Sequence, residues 1–201
     1  MVMSNFHWIG GRLWIDAVNS EFIQGGARFD GWSDVAALET WLRGASERHE
    51  EAGALSDFAG GDEELLARIR NLRAALRDAC GATRPNAATA ATSDAAEAVE
   101  AINLALRFRG ATSQLEASGN GWSEREVSSG EASDALWVLA RSAARSFRGG
   151  ELPRLRPCSN PSCILWFLDT SKNGTRRWCS MQGCGNRHKV AAFSKRQSSK
   201  S

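Results

Sequence analysis

The sequence predicts an α+β protein: a mainly helical N-terminal domain over residues 1–150 that carries one small β-hairpin, then a cysteine-rich module over residues 151–201. Three observations carry that prediction. Apolar residues recur at helical spacing in four stretches of the first 150 residues. A short polar–apolar alternation around Ser118-Gly119-Asn120-Gly121 has the form of a hairpin. Four of the five cysteines fall within the last 44 residues, as two evenly spaced pairs.

Taken in order, residues 10–22 are apolar and closely packed, and read as a short helix or a buried strand. Gly25-Gly26 and Asp30-Gly31 mark turns around a loop. A helix follows, capped by Ser33, with Val35, Leu38, Trp41, Leu42 and Ala45 on one stripe. The best-signalled helix has Asp62 as its N-cap and Glu63 and Glu64 at the positive end of its dipole. Its stripe is Leu65, Ile69, Leu72 and Leu76, Cys80 is a small core or boundary residue, and Gly81 is the expected left-handed C-cap. The alanine-rich stretch around Arg84-Pro85-Asn86 reads as a connection. Ser93 then caps a third helix presenting Val99, Ile102 and Leu106. Leu115 and Trp122 flank the hairpin turn. A fourth helix, from about residue 132 to 148, carries Leu136, Leu139, Ala140, Ala143 and Phe147, and Gly149-Gly150 ends it.

Net charge hides an asymmetry. Residues 1–150 hold fifteen Arg, no Lys and twenty-one Asp or Glu, a balance of −6; residues 151–201 hold ten cations and two acids, a balance of +8. A basic end on an acidic body suits contact with a polyanion, although a solvated basic tail has the same composition. No apolar run reaches bilayer length, and the opening residues lack a basic segment followed by an apolar one. The expectation is a soluble cytoplasmic protein with no membrane partner. In that compartment clustered cysteines point to metal or redox chemistry rather than a disulfide scaffold.

The spacing is Cys158-x4-Cys163, fifteen residues, then Cys179-x4-Cys184. Two close pairs separated by enough chain to fold back supply the four thiolates of a tetrahedral zinc site with little loop entropy. Redox cysteines or disulfides are the alternative, and His188 is an alternative ligand. Ile164 to Leu168 reads as a strand, Lys172-Asn173-Gly174 as a turn and Arg176-Arg177-Trp178 as the returning strand, with a helix from Cys184 to Phe193. A knuckle, a hairpin and a helix whose first turn holds ligands make a treble-clef-like zinc finger. Four sulfurs leave no open position, so the zinc is expected to be structural.

In projection Val190 and Phe193 fall on one side of the last helix, where they are expected to pack against the zinc hairpin. Arg187, His188, Lys195 and Arg196 fall on the other. With Lys172, Arg176, Arg177 and Lys189 they form a candidate nucleic-acid face, DNA being the expected partner. Arg187, next to the ligand turn, is the one best placed to brace the zinc loops instead.

The residues Arg176-Arg177-Trp178-Cys179-Ser180-Met181-x-x-Cys184-Gly185-Asn186-Arg187-x-Lys189 resemble the signature of the bacterial CGNR zinc-finger family. Cys158-x4-Cys163-x3-Phe167-x-Asp169-x-Ser171-Lys172 fits the same pattern, and the likeness covers about residues 152–195. Members carry an N-terminal ABATE domain, and Gly11-x-Leu13-x-x-Asp16-x-x-Asn19 is similar to the opening of one, with Ser20 where Thr is common. The resemblance implies a stress-responsive transcription regulator whose treble-clef finger binds DNA and whose body binds an unknown ligand.

The body itself is quieter. Trp8, Trp14, Trp32 and Trp41 crowd the first quarter and either form core or line an aromatic pocket with Arg12, Asp16 and Asn19 as polar anchors, in which case Arg12, Trp14, Asp16 and Asn19 are the candidate ligand residues. His49-Glu50-Glu51 reads as a solvated cap region. No phosphate loop, dinucleotide fingerprint, nucleophile elbow or zinc-protease motif is present, so no enzyme is expected. The rivals to a DNA-binding regulator are a zinc-stabilised protein-interaction module and a small-molecule-binding protein. The sequence specifies no oligomeric state.

Overall fold

A computed structural model of the chain describes residues 6–56, 58–83, 90–108, 111–118, 121–128, 133–190 and 194. The chain enters its core at once. Helix α1 (Leu13–Val18) has all six residues buried. Its one acid, Asp16, is satisfied by the N–H groups of Ile9 at 2.9 Å and Gly10 at 2.7 Å and by His49 Nε2 at 2.9 Å. That close turn requires glycine at position 10: a Cβ there would lie 2.6 Å from Ile15 Cγ2 and 2.9 Å from Asp16 Oδ1. His49, expected in a solvated cap, is instead largely covered beside Asp16.

The stretch that read as helix or strand is both. After α1 come β1 (Glu21–Gln24) and β2 (Ala27–Asp30), an antiparallel pair joined at Gly25-Gly26. Both glycines have positive φ, +60° and +83°, as a two-residue hairpin turn demands. Helix α2 (Val35–Ser46) is capped by Asp34 rather than Ser33. The Asp34 carboxylate accepts from Ala37 N at 2.8 Å, and the Ser33 hydroxyl donates to that carboxylate. Helix α3 (Glu63–Ala82) starts at Asp62 as expected, whose carboxylate accepts from Leu65 N at 2.7 Å. It runs through Gly81. Thr83 closes it in the right-handed conformation, its hydroxyl donating to Cys80 O, so no left-handed glycine is needed.

Helix α4 (Ala90–Leu106) begins three residues before Ser93. Ala98, Ile102 and Ala105 are its buried stripe, and Val99 is exposed. Strands β3 (Ala111–Ser118) and β4 (Gly121–Ser128) form the expected hairpin, pairing Ala117 with Trp122 and Leu115 with Glu124. Its turn residues 119 and 120 lie outside the described residues. Helix α5 (Ser133–Arg148) packs on α1, α3 and α4. Leu38, Trp41, Leu42, Leu65, Ile69, Leu76, Leu136 and Leu139 meet Trp14 and Trp32 in one core. No described helix is long and apolar enough to cross a membrane.

The hairpin of the cysteine module differs from expectation. Strand β6 (Trp166–Leu168) pairs with β5 (Leu155–Pro157), which precedes the first cysteine, and not with residues 176–178. Strand backbone groups alternate in direction, and the far edge of β6 is already taken. Asn19 bonds the Trp166 backbone there, and Gly10 O accepts from Leu168 N at 2.8 Å. A returning strand has no edge to join. Side chains alternate as well. Trp166 and Leu168 enter the main core with Leu155, while Leu165 and Phe167 pack with Phe22, Cys158, Cys179 and Cys184 in a second cluster. Strand β6 is therefore shared between two cores.

Candidate metal centre

The first cysteine pair lies on the β5–β6 connection, Cys158 just after one strand and Cys163 before the other. Cys158 N donates to Leu165 O at 2.9 Å, closing that knuckle. The second pair flanks a turn set by Ser180, whose hydroxyl accepts from Gly183 N at 3.2 Å and whose carbonyl accepts from Gly185 N at 3.0 Å. Residues Met181–Gly185 form a wide π-type turn that leads into helix over 186–190, so helical structure starts before Cys184 rather than at it.

All four sulfurs lie within 4.8 Å of one another. Cys163 Sγ is 3.9 Å from Cys179 Sγ, which is 3.7 Å from Cys184 Sγ. A tetrahedron with zinc–sulfur bonds of about 2.3 Å has edges of about 3.8 Å, which these two separations match, so the quartet suits zinc. Cys158, Cys179 and Cys184 are buried and Cys163 half-buried. Cys184 Sγ accepts hydrogen bonds from Asn160 Nδ2 at 3.3 Å and an Arg187 guanidinium nitrogen at 3.4 Å, and Cys158 Sγ accepts from Cys179 N at 3.5 Å. Such donors orient thiolates and spread their charge.

Hydrogen bonds from Cys163 and Cys179 hold Cys158 down at about 2. The same bond to Cys158 pushes Cys163 up to about 12, and Cys158 and Cys163 together drive Cys179 upward too. A dication reverses this balance, since coordination lets every thiol ionise.

Around the centre, the basic residues divide into braces and free ends. Arg176 is a brace: it donates to Trp178 O at 3.0 Å and Cys179 O at 2.5 Å, and its guanidinium lies 4.2 Å over the Phe167 ring. Arg187 is exposed overall yet rests on Cys184. Lys172, Arg177 and Lys189 are exposed, with Arg177 set 5.2 Å over Trp178. His188 lies against the same ring, tilted by 35° with ring centres 4.6 Å apart. Val190, expected against the hairpin, is 66% exposed, because the hairpin's apolar faces are already filled by the two cores. Phe193, Lys195 and Arg196 lie outside the described residues.

In the body, Arg12, Trp14, Asp16 and Asn19 have their polar atoms engaged by protein groups. Arg12 pairs with Glu151 and Trp14 Nε1 donates to Ser146 Oγ at 2.9 Å. Asp16 holds the turn at residues 9–10, and Asn19 holds Trp166. Trp14, Trp32 and Trp41 are fully buried core.

Asn160 escaped sequence reasoning, and Asp169 entered it only as part of the family pattern, with no role. Asn160 both donates to Cys184 and accepts from Ser162 N at 3.1 Å, an Asx turn that its place between cysteines and before Pro161 could have signalled. Asp169 is fully buried and accepts from Ser171 N, Ser171 Oγ and Arg176 N, folding the chain away from β6.

Comparison with known proteins matches residues 154–197 to the CGNR zinc finger family. Residues 11–150 match the ABATE family, described as a putative stress-induced transcription regulator. No curated protein matches the chain. Neither family is one of enzymes. The chain belongs to the ABATE family, and its C-terminal module is a CGNR zinc finger with four clustered cysteines suited to zinc.

Proposed function

We propose that this protein is a cytoplasmic, DNA-binding transcription regulator in which a structural zinc ion, held by Cys158, Cys163, Cys179 and Cys184, presents a basic face to the phosphate backbone. The observation that carries this reading is the exposure of Lys172, Arg177 and Lys189 on a module whose four cysteine sulfurs are gathered at one point. Arg187 contributes charge beside Cys184, while Arg176 serves the fold. Lys195 and Arg196 add two more cations a few residues further along the sequence. The +8 balance of residues 151–201, set against −6 for the body, favours a polyanion at this end. The reading involves no catalytic step, because four thiolates fill the positions of a tetrahedral metal.

Fluorescence anisotropy with labelled duplex DNA of mixed sequence tests it. Zinc-loaded protein is expected to bind with an affinity that falls steeply as salt rises. Salt-independent binding, or none at low ionic strength, contradicts it.

A second reading, that the finger docks on another protein, is favoured by two exposed apolar residues on the module, Met181 at 54% and Val190 at 66%. Replacing both by Ser distinguishes the two. DNA affinity should be unchanged if phosphate contact dominates.

A further inference from the structure

We propose that Cys163 is an oxidation site: a hydroperoxide converts it to a sulfenic acid, Cys179 closes a disulfide with it, and the finger gives up its metal. The proposal rests on the zinc centre described above and is independent of DNA.

The four sulfurs are not equivalent. Cys158, Cys179 and Cys184 are buried, at 7%, 3% and 2% exposure, whereas Cys163 is half-buried. Their hydrogen bonds differ as well. Asn160 donates its side-chain amide to Cys184 and its backbone N–H to Cys158. Arg187 is a second donor to Cys184, and Cys179 N a second donor to Cys158. Cys163 receives the Leu165 N–H. Each donor draws charge from a thiolate and makes it a poorer nucleophile. Cys163 is thus more reactive than Cys158 and Cys184 and easier to reach than any of the other three. Zinc holds all four thiolates back. Hydrogen peroxide, little larger than water, still reaches a half-buried sulfur that bulkier alkylating reagents do not.

The second thiol is already in place, because Cys179 Sγ stands 3.9 Å from Cys163 Sγ. In the first step the Cys163 thiolate attacks the hydroxyl oxygen of the hydroperoxide. An S–O bond forms, the O–O bond breaks, and the leaving alkoxide or hydroxide takes a proton from water. In the second step the Cys179 thiolate attacks the Cys163 sulfur; the S–S bond forms, the S–O bond breaks and hydroxide leaves. Two electrons pass from the two sulfurs to the peroxide oxygens. With two of its four ligands gone the metal is released. Asn19 still holds β6 to the body, so the first cysteine pair keeps its place and reduction restores the site.

Full-length protein, first shown to carry one zinc per chain, is treated with excess hydrogen peroxide in the absence of nucleic acid. A failure here is then distinct from a lack of zinc or of DNA binding. Released metal is read with a chromophoric chelator, and the thiols by mass spectrometry with and without a sulfenic-acid trap. Zinc should leave in step with a Cys163–Cys179 disulfide, the trap should mark Cys163, and a phosphine reductant with added zinc should restore the site. The variant Cys163→His keeps a fourth ligand without the oxidisable sulfur and should lose its metal to peroxide at least about tenfold more slowly. If that variant takes up no zinc, the map of trap adducts on the unmodified chain decides the matter. Three results overturn the proposal: zinc retained under excess peroxide, a first adduct on Cys158, Cys179, Cys184 or the buried Cys80, or a disulfide that leaves Cys163 out.

Discussion

The side chain of Asn19 and the backbone of Trp166 are paired in both directions: Nδ2 donates to Trp166 O and Oδ1 accepts from Trp166 N, each at 2.8 Å. Both residues are buried. An asparagine carboxamide here substitutes for the neighbouring strand that β6 lacks on this edge, and so joins the ABATE body to the finger across 147 residues of sequence. With Trp166, Leu168 and Leu155 in the body's core, finger and body share their packing.

Removing that clamp should therefore be costly. Asn19→Ala leaves one buried N–H and one buried C=O without partners, each worth about 1–3 kcal/mol, so a loss of about 2–6 kcal/mol is expected. Urea denaturation followed by tryptophan fluorescence measures it. A loss below about 0.5 kcal/mol would mean that water takes over the pairing.

Zinc removal should be felt in the body. Because the two clusters share β6, chelation is expected to lower the melting temperature of the helical transition as well as disorder the finger. Circular dichroism of the helices, with and without chelator, checks this. An unchanged helical melt would show that the modules unfold separately.

Arg187→Ala and Asn160→Ala each remove a donor to Cys184 Sγ, and each should weaken zinc binding by about 10–100-fold. Competition against a chromophoric chelator measures the loss.

The proposed DNA face makes a contrast among neighbouring arginines. Arg177→Ala, Lys172→Ala and Lys189→Ala should each weaken binding and reduce the logarithmic salt slope by about 0.9 per lost phosphate contact. Arg176→Ala should instead lower stability, since it strands the Trp178 and Cys179 carbonyls. Anisotropy at several salt concentrations, beside thermal melts, separates the two effects.

Acid sensitivity has a defined sign at Glu151. The Arg12 hydrogen bond lowers its pKa against the opposing effect of burial, with Ser146 Oγ adding a second bond. A carboxylate lowered in the folded state adds stability above its ordinary pKa and loses it as pH falls through the folded value. Glu151→Gln should be less stable than the parent at pH 7, and the two urea midpoints should converge between about pH 5 and pH 3.

The legible parts of this molecule were those whose causes are local. Leu65, Ile69, Leu72 and Leu76 announce a helix because periodicity is a property of neighbours, and the four cysteines announce a metal because their spacing suits a tetrahedron. Asp16 and Asn19 stood out through family likeness and as polar anchors of a candidate pocket; their work is to hold residues 9–10 and Trp166, and no local pattern encodes a bond across 147 residues. The partner of β6 was misread for a related reason. A strand buried on both faces is an unbroken apolar run, and its sequence does not say which edge is open. Val190 was misplaced because helical projection gives a side chain's direction and not whether the surface it faces is already filled.

The central claim, a closed tetrathiolate zinc centre in the finger, is tested most directly by combining elemental analysis of protein purified without chelator with thiol alkylation read by mass spectrometry. The account predicts one zinc per chain and protection of Cys158, Cys163, Cys179 and Cys184 until the metal is stripped. A substoichiometric metal content, or ready alkylation of these four residues in the native protein, would contradict it.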